Sequence, residues 1–186
     1  MATLLGSVAA FTVVLVLLIA TVERFVSPNS LPRAVAAHRI LPRPAAVAAA
    51  VTLMEAGLAA AGAVAVAMPP GGWLRPPVFG GAALLFAGYA GYSQRVRVSR
   101  PGTPCGCSGG ELPVTGWVVT RACLLAGVAL LAAVLSGSVL TVDRPGTPLA
   151  VTLLAAAGFA VLLWQLPAAM HLPAGRRPAM IRERIS

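Results

Sequence analysis

The sequence predicts an all-α membrane protein: a polytopic helical bundle with a four-helix core and a fifth, C-terminal transmembrane helix. Three observations carry that expectation. The chain of 186 residues is 58% hydrophobic and only 10% charged, whereas soluble domains carry about 25% charged residues. The apolar residues gather into five runs, each close to the ~20 residues that cross a bilayer as a helix. The charges collect between those runs, and all 14 basic residues are arginine, against five acidic ones.

The first run, residues 4–22, is almost unbroken Leu, Val, Ala and Ile and ends at Glu23 and Arg24. No basic segment precedes it, so it reads as a retained helix and not as a cleaved leader. Residues 24–44 form a connector punctuated by Pro28, Pro32, Pro42 and Pro44, with room for a short interfacial helix over 31–40. The second run, 45–68, is alanine-rich and contains Glu55. A Pro69-Pro70-Gly71-Gly72-Trp73 turn follows, with its tryptophan at the level where an amphipathic ring is favoured.

The third run, 78–94, carries Gly80, Gly81, Gly88 and Gly91, which are expected to let neighbouring helices approach closely. Tyr89 and Tyr92 lie near its end, as an aromatic belt does. Residues 95–115 are a polar loop, 116–135 the fourth run, and 148–166 the fifth. The reading is therefore one transmembrane domain over 1–166 and a basic, disordered cytoplasmic tail over 167–186.

The arginines set an orientation. Connectors on one side hold Arg24, Arg33, Arg39 and Arg43, then Arg95, Arg97 and Arg100, then Arg176, Arg177, Arg182 and Arg184 in the tail. The other side holds Arg75 and Arg144, and Arg121 falls inside a run. Positive charge favours the cytoplasmic face. The N-terminus is thus expected outside the cell membrane, with the tail and the 95–115 loop inside. Nucleic acid is not an expected partner, because the arginines form no coherent face with interleaved aromatics. The expected surroundings are a lipid bilayer, to which the basic tail anchors. Three cysteines exclude a disulfide-stapled secreted scaffold.

The reactive chemistry concentrates in Arg100-Pro-Gly-Thr-Pro-Cys105-Gly-Cys107-Ser-Gly-Gly-Glu111. A disulfide closed across one residue is a small, strained ring, readily reduced and suited to exchange. Arg95, Arg97 and Arg100, together with the start of the next helix, favour thiolate, while Glu111 opposes it. Thr115 is the expected cap of that helix. Two alternatives stand beside the redox pair: inert loop cysteines, or half of a metal site completed by His38, His171 or Cys123 at no recognised spacing.

Cys123, two turns into the fourth run, reads as a small buried hydrophobe or as a resolving thiol. Glu55 and Arg121 are ionisable groups within runs, which are costly unless paired or facing a cavity. The expectation is either an ion pair between them, with Trp117 stacked on Arg121, or an arginine snorkelling to the interface. His38 reads as an exposed loop histidine or a proton carrier for thiol exchange.

Three pieces together resemble a known family: Ala36-Ala37-His38-Arg39-Ile40-Leu41-Pro42; Leu53-Met54-Glu55-Ala56-Gly57; and Cys105-Gly-Cys107-Ser-Gly-Gly followed by Val114-Thr115-Gly116-Trp117 and Arg121. Over residues 1–136 the chain resembles the MauE methylamine-utilisation membrane proteins, which are similar to the DoxX-like proteins. The resemblance implies a four-helix membrane bundle and a part in making or maintaining the disulfides of an exported client, the methylamine dehydrogenase small subunit in the founding systems. The leading reading of the residues takes Cys105 and Cys107 as the redox pair, with Glu55 and Arg121 setting the local field. A thioredoxin-like protein or a quinone is a candidate redox partner; a non-enzymatic scaffold or maturation chaperone, or a small-solute transporter, is the alternative reading. Ser108 replaces an expected aromatic residue, and the fifth run exceeds a four-helix core.

Overall fold

The computed structural model describes residues 1–40, 42–69, 72–103, 105, 113–140 and 146–170. These form α1 (Ala2–Val26), α2 (Ser30–His38), α3 (Pro44–Ala67), α4 (Arg75–Ser99), α5 (Gly116–Val134), a 3-10 turn over Ser136–Ser138 and α6 (Thr147–Ala169). No strand occurs among the described residues. The protein is an all-α membrane protein, as composition predicts. Residues 171–186, most of the expected tail, lie outside the described residues.

Helices α1, α3, α5 and α6 are long and apolar enough to cross a membrane, and α4 is not among them. The expected third run, 78–94, thus lies within a helix that is less apolar than those four. Helix α4 is as long as α1, but it is diluted by glycine, by Tyr89, Tyr92 and Ser93, and by Gln94, Arg95 and Arg97. Of those residues Tyr89, Tyr92 and Ser93 line a cavity between the helices, and Gln94, Arg95 and Arg97 do not. Helix α4 still runs the length of the bundle beside α5. Its N-terminal residue Arg75 meets the end of α3, and its C-terminal half meets the start of α5.

Helix α1 is the hub. It packs against α3, α5 and α6, and Ala10, Val13, Val16 and Leu17 on it are buried. A helix that is apolar all round belongs in the interior of a bundle. The outer helices instead expose Leu53, Leu84, Leu130, Val134, Leu154 and Leu162. So broad an apolar exterior fits hydrocarbon as the surrounding solvent.

Two glycines sit where α1 and α3 meet their neighbours closely. A Cβ on Gly62 would lie 2.9 Å from Val14 Cγ2, and one on Gly6 would lie 2.9 Å from Leu135 Cβ. Of the glycines expected to do this on α4, only Gly81 has a neighbour, Leu58 at 3.3 Å; Gly80, Gly88 and Gly91 face open space.

Arg75 knots the end of the bundle where α3 finishes. It is fully buried. Its Nε donates to the Ala65 carbonyl at 2.9 Å, Nη2 to Met68 at 2.6 Å, and Nη1 to Val139 and Ser136 at 3.2 and 3.3 Å. Ala65 and Met68 belong to the last turn of α3 and its cap, where carbonyls lack helical partners and the dipole favours a cation. Nearby, Ser7 Oγ accepts from the Leu140 N–H at 2.8 Å and ties α1 to the same chain segment.

Candidate thiol site and its cavity

At the opposite end the helices part around a cavity of about 600 Å³. The C-terminal ends of α1 and α4, the first halves of α3 and α5, helix α2 and Trp164 of α6 enclose it. Its wall is largely apolar, with Val51, Leu84, Phe86 and Val118 among the lining residues. The polar groups on it are few: Arg24, Glu55, His38, Tyr89, Tyr92, Ser93, Arg121 and Cys105.

Glu55 is 2% exposed, the most deeply placed of these. Arg24 Nε lies 3.3 Å from Glu55 Oε2, and Tyr89 donates its hydroxyl to Oε1 at 2.7 Å. A buried carboxylate is tolerated when its charge and lone pairs are both met, and here one helix supplies the cation and another the hydrogen bond. Of the two arrangements the sequence predicts for Arg121, a pair with Glu55 or snorkelling to the interface, the pair with Glu55 does not form. Arg121 instead lies 4.7 Å from the Trp164 ring centroid and donates Nη1 to the Trp164 carbonyl at 3.4 Å. Its aromatic neighbour is thus on α6, not Trp117 on its own helix; Trp117 is 41% exposed. Helix α6 was read as an addition to the core, yet it supplies the face on which Arg121 rests.

His38 is buried, not an exposed loop residue. Its Nδ1 is 2.8 Å from the Tyr92 hydroxyl, and the rings are tilted with centroids 5.6 Å apart. Helix α2 lays Val35 and His38, three residues apart, against the bundle, so the connector forms one wall of the cavity. Tyr89 and Tyr92, also three apart, share one face of α4 and turn inward to Glu55 and His38. They are site residues more than interfacial belt.

The thiol loop is closed at its base by a turn. The Thr103 N–H donates to Arg100 O at 3.4 Å, and Gly102 takes φ +84°. That is the left-handed position a Pro-Gly turn requires and that glycine adopts without a Cβ penalty. The Val114 N–H then donates to Thr103 O at 2.9 Å. From this base Cys105, half-buried, lies on the cavity wall. Cys107 and Glu111 fall outside the described residues. Thr115 precedes α5 with extended backbone but makes no side-chain cap, and its buried hydroxyl has no partner among the described residues. Cys123 is exposed on the outer side of α5, off the Val118, Ala122, Leu125 and Ala129 stripe that faces inward. The fold does not bring it to the cavity. No cluster of three metal-ligating side chains occurs among the described residues.

Sequence reasoning passed over four contributors: Arg24 as the partner of Glu55, Tyr89 as its hydrogen-bond donor, the His38–Tyr92 pair, and Trp164. The Tyr89/Tyr92 spacing was a usable signal, because polar groups one turn apart in an apolar helix need an inward partner. Arg24 and Trp164 carried none, since each reads as an ordinary interfacial residue.

A helical membrane bundle with a cysteine at the edge of a sparsely polar cavity between its helices defines a class of integral membrane protein built around an inter-helix site. The model of the family described as methylamine utilisation protein MauE matches residues 1–136. The chain belongs to that family, a methylamine-utilisation-associated group of membrane proteins. The match covers α1 to α5 and ends at Ser136, where the 3-10 turn begins, and α6 lies beyond it. No curated protein and no solved structure matches the chain.

Proposed function

We propose that this protein is a thiol–disulfide relay of the cell membrane that supports maturation of an exported, disulfide-containing client, with Cys105 and Cys107 as its exchanging pair. The observation that carries the reading is the position of Cys105 on the wall of a cavity that also holds the Arg24–Glu55 ion pair and the His38–Tyr92 pair. Thiol exchange needs an accessible sulfur, a way to hold thiolate and a route for protons. In the oxidising direction a client thiolate attacks the Cys105–Cys107 disulfide and forms a mixed disulfide. The client's second thiolate then displaces the relay, leaving an oxidised client and a reduced Cys105–Cys107 dithiol. Glu55 and Arg121 act on the field around that sulfur, and a thioredoxin-like protein is a suitable carrier between relay and client.

The test replaces both cysteines with serine and traps mixed disulfides in the wild-type protein by acid quenching and alkylation. Loss of client maturation, together with a covalent adduct that reductant releases, is expected. Full maturation by the double variant with no trapped adduct would sink the relay and leave a scaffold or maturation chaperone.

A further inference from the structure

We infer that the cavity beneath Cys105 is a binding site for a membrane quinone, which takes the electrons of the reduced thiol pair. This rests on the relay reading and names the acceptor that reading lacks. Three features of the cavity point to that chemistry.

The first is its size and lining. At about 600 Å³ it falls within the range of ligand sites, which are mostly apolar with a few placed polar groups. A flat apolar ring with two acceptor oxygens suits such a wall. The second is Arg121. Its guanidinium has five N–H donors, yet its bond to Trp164 O is long, at 3.4 Å. Among the described residues no carboxylate lies within ion-pair distance of it, although Glu23 is near enough to feel its charge. A half-buried cation on the wall of an apolar cavity calls for an acceptor, and a quinone carbonyl, which gains negative charge on reduction, provides one. Trp164, already beneath the guanidinium, offers a stacking face. The third is the thiol at the cavity edge. A dithiol gives up two electrons, and a quinone accepts two electrons and two protons.

The step balances without another reagent. The Cys105 and Cys107 thiols lose two electrons and two protons and form one S–S bond. The quinone gains both electrons and both protons and leaves as quinol. No proton is taken from bulk solvent, which suits a site within a membrane bundle. Tyr92, hydrogen-bonded to His38 at 2.8 Å, is placed to hand on a proton during the transfer.

Gly88 allows a clean test. It lines the cavity, and a Cβ built on it meets no atom within 4 Å. Gly88→Leu therefore adds bulk to the cavity wall from a position where the first side-chain carbon meets no neighbour. Gly91 is equally open but does not line the cavity, so Gly91→Leu is the matched control. Full-length protein in nanodiscs is titrated with decylubiquinone and with menadione, read by tryptophan quenching, and thermal unfolding checks each variant. Saturable quenching is expected for wild type, Gly91→Leu and the double serine variant. In Gly88→Leu, and in Arg121→Gln, which removes donors without filling space, affinity is expected to fall about tenfold or more. Reduced wild-type protein should form one quinol for every two thiols lost.

Absence of saturable quenching in wild type, or equal affinity in Gly88→Leu and Arg121→Gln, overturns the inference. So does equal competition by decanoic acid, which would make this a site for acidic amphiphiles. A wild-type protein that traps client but binds no quinone overturns this inference alone. A double serine variant that binds quinone yet matures client normally overturns the relay and the electron-transfer step, and leaves the binding site standing.

Discussion

Glu55 concentrates the electrostatics of the bundle at one residue. It accepts from Tyr89 and pairs with Arg24 while 2% exposed. Removing one partner of a buried ion pair costs about 3–5 kcal/mol, because the other charge is left stranded. Losing a neutral hydrogen-bond donor costs only about 1 kcal/mol. Glu55→Gln should therefore destabilise the folded protein markedly more than Tyr89→Phe does, as measured by unfolding in detergent micelles. Equal effects would mean that Arg24 is stabilised by something other than Glu55. Arg75 is the counterpart at the far end, where four carbonyl oxygens converge on one guanidinium. Hydrogen bonds to a charged group contribute about 1.5–3 kcal/mol each, so Arg75→Met should cost at least about 3 kcal/mol. Arg75→Lys should restore little of that, since an ammonium is compact and lacks the planar fork that reaches several carbonyls.

Between helices, the decisive quantity is distance. Gly62 lets α3 approach α1 so closely that a methyl group there would meet Val14 Cγ2 at 2.9 Å. Valine is stiff at χ1 in a helix and cannot swing aside freely. Gly62→Ala should therefore destabilise by about 1–3 kcal/mol, and Val14→Ala in the same chain should recover most of that loss. Gly57, on the same helix, has nothing within 4 Å of its built Cβ, so Gly57→Ala should be neutral or stabilising by about 0.5–1 kcal/mol through helix propensity. Thermal unfolding of the three variants and the double separates packing from propensity. A Gly62→Ala protein as stable as Gly57→Ala would show that the α1–α3 contact has slack. On helix α4, Tyr89, Tyr92 and Ser93 line the cavity, whereas Gln94, Arg95 and Arg97 do not.

For the whole molecule the open quantity is its side in the membrane. Eleven of the arginines flank one end of the predicted spans, and the cavity and Cys105 share the end to which Arg24 belongs. We propose that this end faces the cytoplasm, with the N-terminus outside. An impermeant maleimide should then leave Cys105 and Cys107 unlabelled on sealed cells and label them after permeabilisation. Labelling on sealed cells would reverse the orientation and put the exchange on the outer face. Cys123 should resist the reagent from both sides, because the exterior on which it sits is apolar helix.

The sequence by itself determined the solvent and the helices. Runs of apolar residues near bilayer length admit few other structures, because lipid leaves no partner for an unpaired backbone group. It also marked the Cys105 and Cys107 loop and the membrane carboxylate at Glu55, since each is a local anomaly in an apolar background; the turn at Gly102 came from the structure. Which cation meets Glu55, what Arg121 rests on, whether His38 is buried, and whether Cys123 looks in or out were decided by tertiary structure alone. Those outcomes depend on the rotation of each helix about its axis and on which helices become neighbours. Both are set by contacts such as Gly62 on Val14 and Arg75 on the carbonyls of α3, which join residues far apart in the chain.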